Sequence, residues 1–300
     1  YGQAPANTTL TVTYTTGGGV SDNVSANVLT RLENVEYNDD PNATTSGALV
    51  NFVKESVTVD NTSPATGGKT ADSLQDIKNN ALGNFATQNR LVTRDDYIIR
   101  CYSMPAKFGS VSKAYIVPDD QLSQGQFEST RIPNPLAMNL YVLGFNSTKK
   151  LTALNTAVKS NLITYLNYYR MLTDAINIKD AFIINIGLDF QITVASNFNS
   201  NEVLLSCIEK LKDHFDIDKW QINQPIVKSN IINLIGSVTG INSVVDVSFK
   251  NLYSTVTNYS GNIYDIDSAT KQGIIYPPLD PSCFEVKFPN KDIKGQVVNY

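Results

Sequence analysis

Catalysis needs nucleophiles, bases, metal ligands or paired carboxylates at a workable spacing, and this chain offers few of them. It holds one histidine, His214, and three cysteines, Cys101, Cys207 and Cys283. The cysteines are widely separated, with no CxxC pair and no neighbouring histidine. Zinc ligation and a disulfide framework are therefore not indicated, and the thiols read as buried and inert. A histidine-based dyad or triad would have to run through His214. That residue ends the run Lys210-Leu211-Lys212-Asp213-His214, at the close of a helical pattern, where a cation meets a helix C-terminus favourably. Acidic pairs occur at Asp39-Asp40, Asp95-Asp96, Asp119-Asp120 and Asp216-x-Asp218. Such carboxylates can hold a divalent ion or share acid and base roles in a cleft. EF-hand spacing is absent, however, and Asp95-Asp96 is explained by helix capping. No GxSxG elbow occurs. Gly17-Gly18-Gly19 fits neither glycine-rich phosphate motif, and Gly67-Gly68-Lys69-Thr70 lacks the earlier glycine, since Ser63 stands there. No catalytic residue, cofactor or metal site is expected.

The elements that would have to position any site are easier to read. Leu10, Val12 and Tyr14 alternate with threonines as in a half-exposed strand, and an apolar stretch from Ala48 to Val59 reads as a further β segment. Leu74, Ile77, Ala81 and Phe85 recur at intervals of three and four, giving one apolar stripe of a helix whose cap is read as Thr70. Thr93-Arg94-Asp95-Asp96 has the form of a capping box, hydroxyl at the cap and carboxylate three residues on. Beyond it the order reads β-β-α-β-α-α-β from Ser110 to Lys250, with a long helix from about Thr148 to Tyr169. Ile184, Ile186, Leu188, Phe190, Ile192 and Val194 alternate strictly with Asn185, Gly187, Asp189, Gln191 and Thr193. That pattern implies one core face and one wet face, in an antiparallel or mixed sheet. Asn199 caps the next helix, and Phe284 to Phe288 alternate again near the end.

The expected fold class is α+β. Four units are expected: a β-rich unit over 1–66, a helical connector over 67–108, an α+β sandwich of ferredoxin-like type over 109–250, and a C-terminal β-rich unit over 251–300. With 24 basic against 28 acidic residues and 17% charged, the chain lacks the basic excess that neutralises phosphates, which argues against a nucleic-acid partner. No apolar run approaches the roughly 18 residues of a spanning helix, so membrane insertion is not expected. Tyr1 stands where an initiator Met would be, and the sequence is expected to be part of a longer chain.

Two stretches together resemble the baseplate wedge proteins of contractile-tailed phages, the J-like baseplate family. The first runs Tyr1-Gly2-Gln3-Ala4-Pro5, Leu10-Thr11-Val12-Thr13-Tyr14, Gly17-Gly18-Gly19 and Asp22-Asn23-Val24. The second, more specific, runs Gly67-Gly68-Lys69-Thr70, Ile77-Lys78-Asn79-Asn80-Ala81 and Gln88-Asn89-Arg90-Leu91-Val92-Thr93-Arg94-Asp95-Asp96-Tyr97. Gly236 to Val245 is similar to a later helix-to-strand passage of the family. Ser73-Leu74 departs from an acidic residue common there, and Lys78 from an arginine. The resemblance implies a non-enzymatic virion subunit of the tail baseplate, expected as a homodimer or ring. It also implies contacts with other wedge proteins around the central hub, and rearrangement during contraction. Arg90, Arg94 and Tyr97 are the interface residues it suggests, with local capping and solvation as the alternative account of the same run. Two rivals stay open. One is a carbohydrate-binding or cell-wall-degrading tail component using Asp119 and Asp216; the other is a calcium-dependent adhesin.

Overall fold

The computed structural model describes residues 6–9, 11, 18–37, 47–119, 137–254 and 258–298. The strand expected at Leu10, Val12 and Tyr14, and the Asp39-Asp40 pair, lie outside the described residues. The protein is α+β, built on two four-stranded mixed sheets and a small three-stranded one. The first helix, α1 (Gly47–Ser56), occupies the stretch read above as a β segment and has no buried residue. Helices α2 (Leu74–Ala86) and α3 (Arg94–Tyr102) follow. The cap of α2 is Ser73, not Thr70: its hydroxyl accepts from the Asp76 N–H, and the Asp76 carboxylate takes the Ser73 N–H in return.

The first large sheet comprises β1 (Lys113–Pro118), β2 (Ala137–Phe145), β3 (Leu151–Thr152) and β4 (Ala175–Asp180). β2 pairs antiparallel with β1 and β3, and parallel with β4. A parallel neighbour needs a crossover, supplied by α4 (Thr156–Asn167). The expected helix start at Thr148 is corrected by this: Leu151–Thr152 is strand, and Asn155 caps α4 by accepting from the Ala157 N–H at 3.0 Å. β4 was not anticipated, although Ile176 and Ile178 alternate with Asn177 and Lys179. Tyr97 and Cys101 of α3 and Val158, Leu162 and Leu166 of α4 pack with Ile116, Leu140 and Val142 in one core.

The second sheet is organised by β5 (Phe182–Val194), the strand most legible in sequence. Ile184, Ile186, Leu188, Phe190 and Ile192 are all at most 2% exposed. Its 13 residues extend about 43 Å at roughly 3.3 Å per residue, enough for two partners end to end on one edge. β10 (Ser282–Glu285) pairs parallel with its first part and β11 (Ile293–Val297) with its second, while β7 (Ile241–Asn251) runs antiparallel along the other edge. Helices α5 (Ser200–His214) and α6 (Lys228–Gly236) cover the apolar face with Val203, Cys207, Leu211, Ile231 and Ile235. The short β6 (Ile226–Val227), α7 (Ile266–Ala269), β8 (Thr270–Lys271), β9 (Ile274–Ile275) and α8 (Pro289–Asp292) complete the order.

Three expectations are corrected by these pairings. Residues 109–250 do not make one ferredoxin-like sandwich, because β4 and β5 belong to different sheets, although Ala181 alone separates them along the chain. Residues 251–300 are not a separate unit: they contribute β10 and β11 to the β5 sheet. The polar face of β5 is not simply wet, since Asn185 is fully buried and receives the Ser260 N–H at 2.7 Å. The two sheets share a third core of Tyr141, Leu143, Phe145, Leu151, Ala181, Ile222 and Cys283. β2 is thus covered on both faces, which accounts for its near-complete burial and for the apolar run from Leu140 to Phe145.

Candidate functional site

The 90–97 run is built as its capping pattern predicts. The Thr93 hydroxyl accepts from the Asp96 N–H at 3.2 Å, and the Asp96 carboxylate accepts from the N–H groups of Thr93 and Val92 at 2.8 and 3.1 Å. Partial burial opposes ionisation of Asp96, but those bonds outweigh it and hold the carboxyl below its usual range. Tyr97, expected at an interface, is fully buried, and its hydroxyl donates to Asp174 at 3.0 Å. Burial and that carboxylate together push its ionisation up. Tyr97 is therefore a core residue. Arg90 and Arg94 are exposed. Arg90 reaches only Gln88, at 3.3 Å, and Arg94 has no hydrogen-bond or ion-pair partner among the described residues. Arg94 also opens α3, where the helix dipole disfavours a cation, so its place is not explained by helix stability.

The two stretches carrying the family resemblance meet in space. Asn23, 2% exposed, donates to the Gly68 carbonyl at 3.0 Å and accepts from the Gly68 N–H at 2.7 Å. It also donates to the Phe145 carbonyl at the end of β2. A Cβ on Gly68 would lie 2.2 Å from the Gly19 carbonyl oxygen, so only glycine fits this approach. Gly67-Gly68 is a clamp between the N-terminal segment and the first sheet, where sequence placed the start of a helical connector.

The larger surprise is α2. Leu74, Ile77 and Phe85 of its apolar stripe are 69%, 53% and 87% exposed. The opposite side packs on α3 through Gly83, where a Cβ would meet the Ile99 side chain at 2.7 Å. On α1, Leu49, Phe52 and Val53 are likewise exposed. A parallel bridge between Leu91 and Arg170 brings the 90–94 stretch alongside 168–172, where Tyr168, Met171 and Leu172 are exposed beside Val92. Sequence reasoning missed Arg100, 4% exposed, stacked 4.1 Å from the Tyr169 ring and bonded to Thr87 and Asn89. Nothing in the spacing marks it, because its partners come from a turn and from the end of α4.

The remaining candidates are committed to structure. Cys101, Cys207 and Cys283 are buried free thiols, and burial pushes Cys101 and Cys283 up to about 12. His214 stacks edge-on against Phe215 and Trp220, and burial with nearby Lys219 lowers its pKa. It is thus neutral near pH 7, where sequence suggested a cation, and the Trp220 indole N–H instead satisfies its carbonyl at 3.0 Å. Asp119 is buried and accepts from Asn139, and Asp216 caps the turn Ile217–Lys219. Among the described residues no cluster of three metal-binding side chains occurs, and no helix is long and apolar enough to cross a membrane.

No family model matches the sequence, and no curated protein matches it. Among solved structures, the chain is similar to one in the six-fold symmetrised cryo-EM baseplate of the anti-feeding prophage, with a TM-score of 0.42 and 11% identity. The match covers 81% of this chain and 45% of that one, so the chain spans less than half of its neighbour's length. At that TM-score the likeness carries neither fold nor activity across.

Proposed function

We propose that this protein is a non-enzymatic structural subunit of a contractile-tail baseplate. In this reading it pairs with itself and with other wedge proteins in the ring around the hub, and takes part in relaying the contraction trigger. One observation carries the assembly reading: the apolar stripe of α2 is turned to solvent while its glycine side packs on α3. Exposed apolar surface of this kind marks interaction sites. The baseplate reading itself rests on the sequence stretches 1–24 and 67–97, whose motif residues Asn23 and Gly68 are hydrogen-bonded to each other.

The test is sedimentation of the 300-residue chain across a concentration series, with the double substitution Ile77→Asp, Phe85→Asp beside it. The expected result is a species of twice 32.9 kDa for the unaltered chain and a monomer for the variant. A strict monomer for the unaltered chain at every concentration refutes self-pairing. Turnover of peptidoglycan that disappears on substituting Asp119 and Asp216 would overturn the non-enzymatic reading.

A further inference from the structure

A cavity of about 510 Å³ lies where the β2–β3 hairpin meets the C-terminal segment. Its size falls in the range of small-molecule sites. Asn146, Thr148 and Lys150 form one wall; Tyr259, Lys287 and Phe288 form the other.

Both walls are held in place by hydrogen bonds within the protein. The Asn146 side-chain oxygen accepts from the Thr148 N–H, the Thr148 hydroxyl and the Lys150 N–H at 2.9 to 3.0 Å, which fixes the turn. Its amide NH2 has no protein acceptor among the described residues. The Leu151 N–H donates to Glu285 at 2.8 Å and ties the hairpin to β10. On the opposite wall Asp292 accepts from the Phe288 N–H at 2.7 Å and the Tyr259 hydroxyl at 2.5 Å, and the two rings sit edge to face at 5.5 Å.

The cations lining the cavity act on the fold only through their charges, which favour ionisation of Glu285. Lys149 pairs with Asp218 at 2.6 Å and Lys291 lies over the Tyr259 ring. Lys150 and Lys287, both half-buried, make no ion pair among the described residues. Among the described residues no carboxylate lies within bonding distance of them: Glu285 accepts from Leu151 and Asn185, and Asp292 from Phe288 and Tyr259. Two ammonium groups and a free amide donor, with aromatic rings beside them, make a donor set for an oxyanion on a small organic body.

We propose that this cavity binds a small molecule bearing a phosphate or carboxylate group, seated on Lys150, Lys287 and the Asn146 amide, with its apolar face against Phe288 and Tyr259. The inference does not depend on the baseplate reading. Isothermal titration of the 300-residue chain at physiological salt with inorganic phosphate, citrate and glucose 6-phosphate tests it. Saturable binding of at least one is expected, weakened about ten-fold or more by Lys150→Gln with Lys287→Gln and unchanged by Lys149→Gln. Tighter binding of glucose 6-phosphate than of phosphate assigns the anion to a sugar body; equal binding assigns it to the free ion. Should the double variant melt at a lower temperature than the unaltered chain, each single variant is read in the same way. Absence of saturable binding by all three probes, or binding that survives both substitutions, overturns the proposal.

Discussion

Glu285 links the two large sheets through its buried carboxyl. Its carboxyl, 2% exposed, takes the Leu151 N–H and the Asn185 side-chain amide, both at 2.8 Å, and so joins β3 of one sheet to β10 and β5 of the other. Burial raises its pKa above the ordinary 4.5, and its hydrogen bonds and the charges of Lys287 and Lys150 only partly offset that. A raised folded pKa means that the folded state binds the proton more tightly than the unfolded one. Its stabilisation is therefore complete below about pH 4.5 and is lost as pH rises through the folded value. Glu285→Ala leaves two buried donors without an acceptor, each costing about 1–3 kcal/mol. Urea unfolding should show the larger loss at pH 5 and a smaller one at pH 8, where the native chain already bears the cost of a buried anion. A loss independent of pH would contradict this account. Thr93 and Asp96 show how directly a capping box can be read, because every group in it lies within four residues. Tyr97 shows the opposite: its partner Asp174 is remote in sequence, and nothing local says that the ring points inward.

Among the elements, α2 behaves against the usual logic of amphipathic helices. Its stripe of Leu74, Ile77, Ala81 and Phe85 satisfies the spacing for a core face, yet the helix rests on α3 through Gly83. Spacing fixes which residues share a face; it does not say which face another element will cover. Two substitutions separate the sides. Gly83→Val forces a branched side chain against Ile99 and should destabilise the chain by about 1–3 kcal/mol. Phe85→Ala, at a ring 87% exposed, should change monomer stability by under about 0.5 kcal/mol. Chemical unfolding at low protein concentration measures both. A large penalty for Phe85→Ala would mean that the stripe is covered within the monomer. The strand β5 is the converse case: its alternation was legible throughout, but its pairing with β10 and β11 in succession depends on segments about a hundred residues later.

At the scale of the whole molecule, the two sheets are tied by Ala181, by the Glu285 bonds and by the shared core that includes Leu143. Leu143→Ala should cost about 2–5 kcal/mol. Native-state hydrogen exchange should then show lowered protection in β1 and β2 and also in β5 and β10; loss confined to the first sheet would show that the two sheets unfold independently. By itself the sequence determined the α+β class, the core residues of β5, the capping of α3 by Thr93 and of α5 by Asn199, and the scarcity of catalytic groups. Each of these follows from residue type and short-range periodicity. The tertiary structure alone decided that residues 251–300 complete the second sheet, that Asn23 closes on Gly68, and that Lys150 and Lys287 line one cavity. It also decided that the α2 stripe faces water. The physical reason is common to all four: each depends on which distant segment arrives to cover or pair a surface, and a local pattern encodes the surface without encoding its partner.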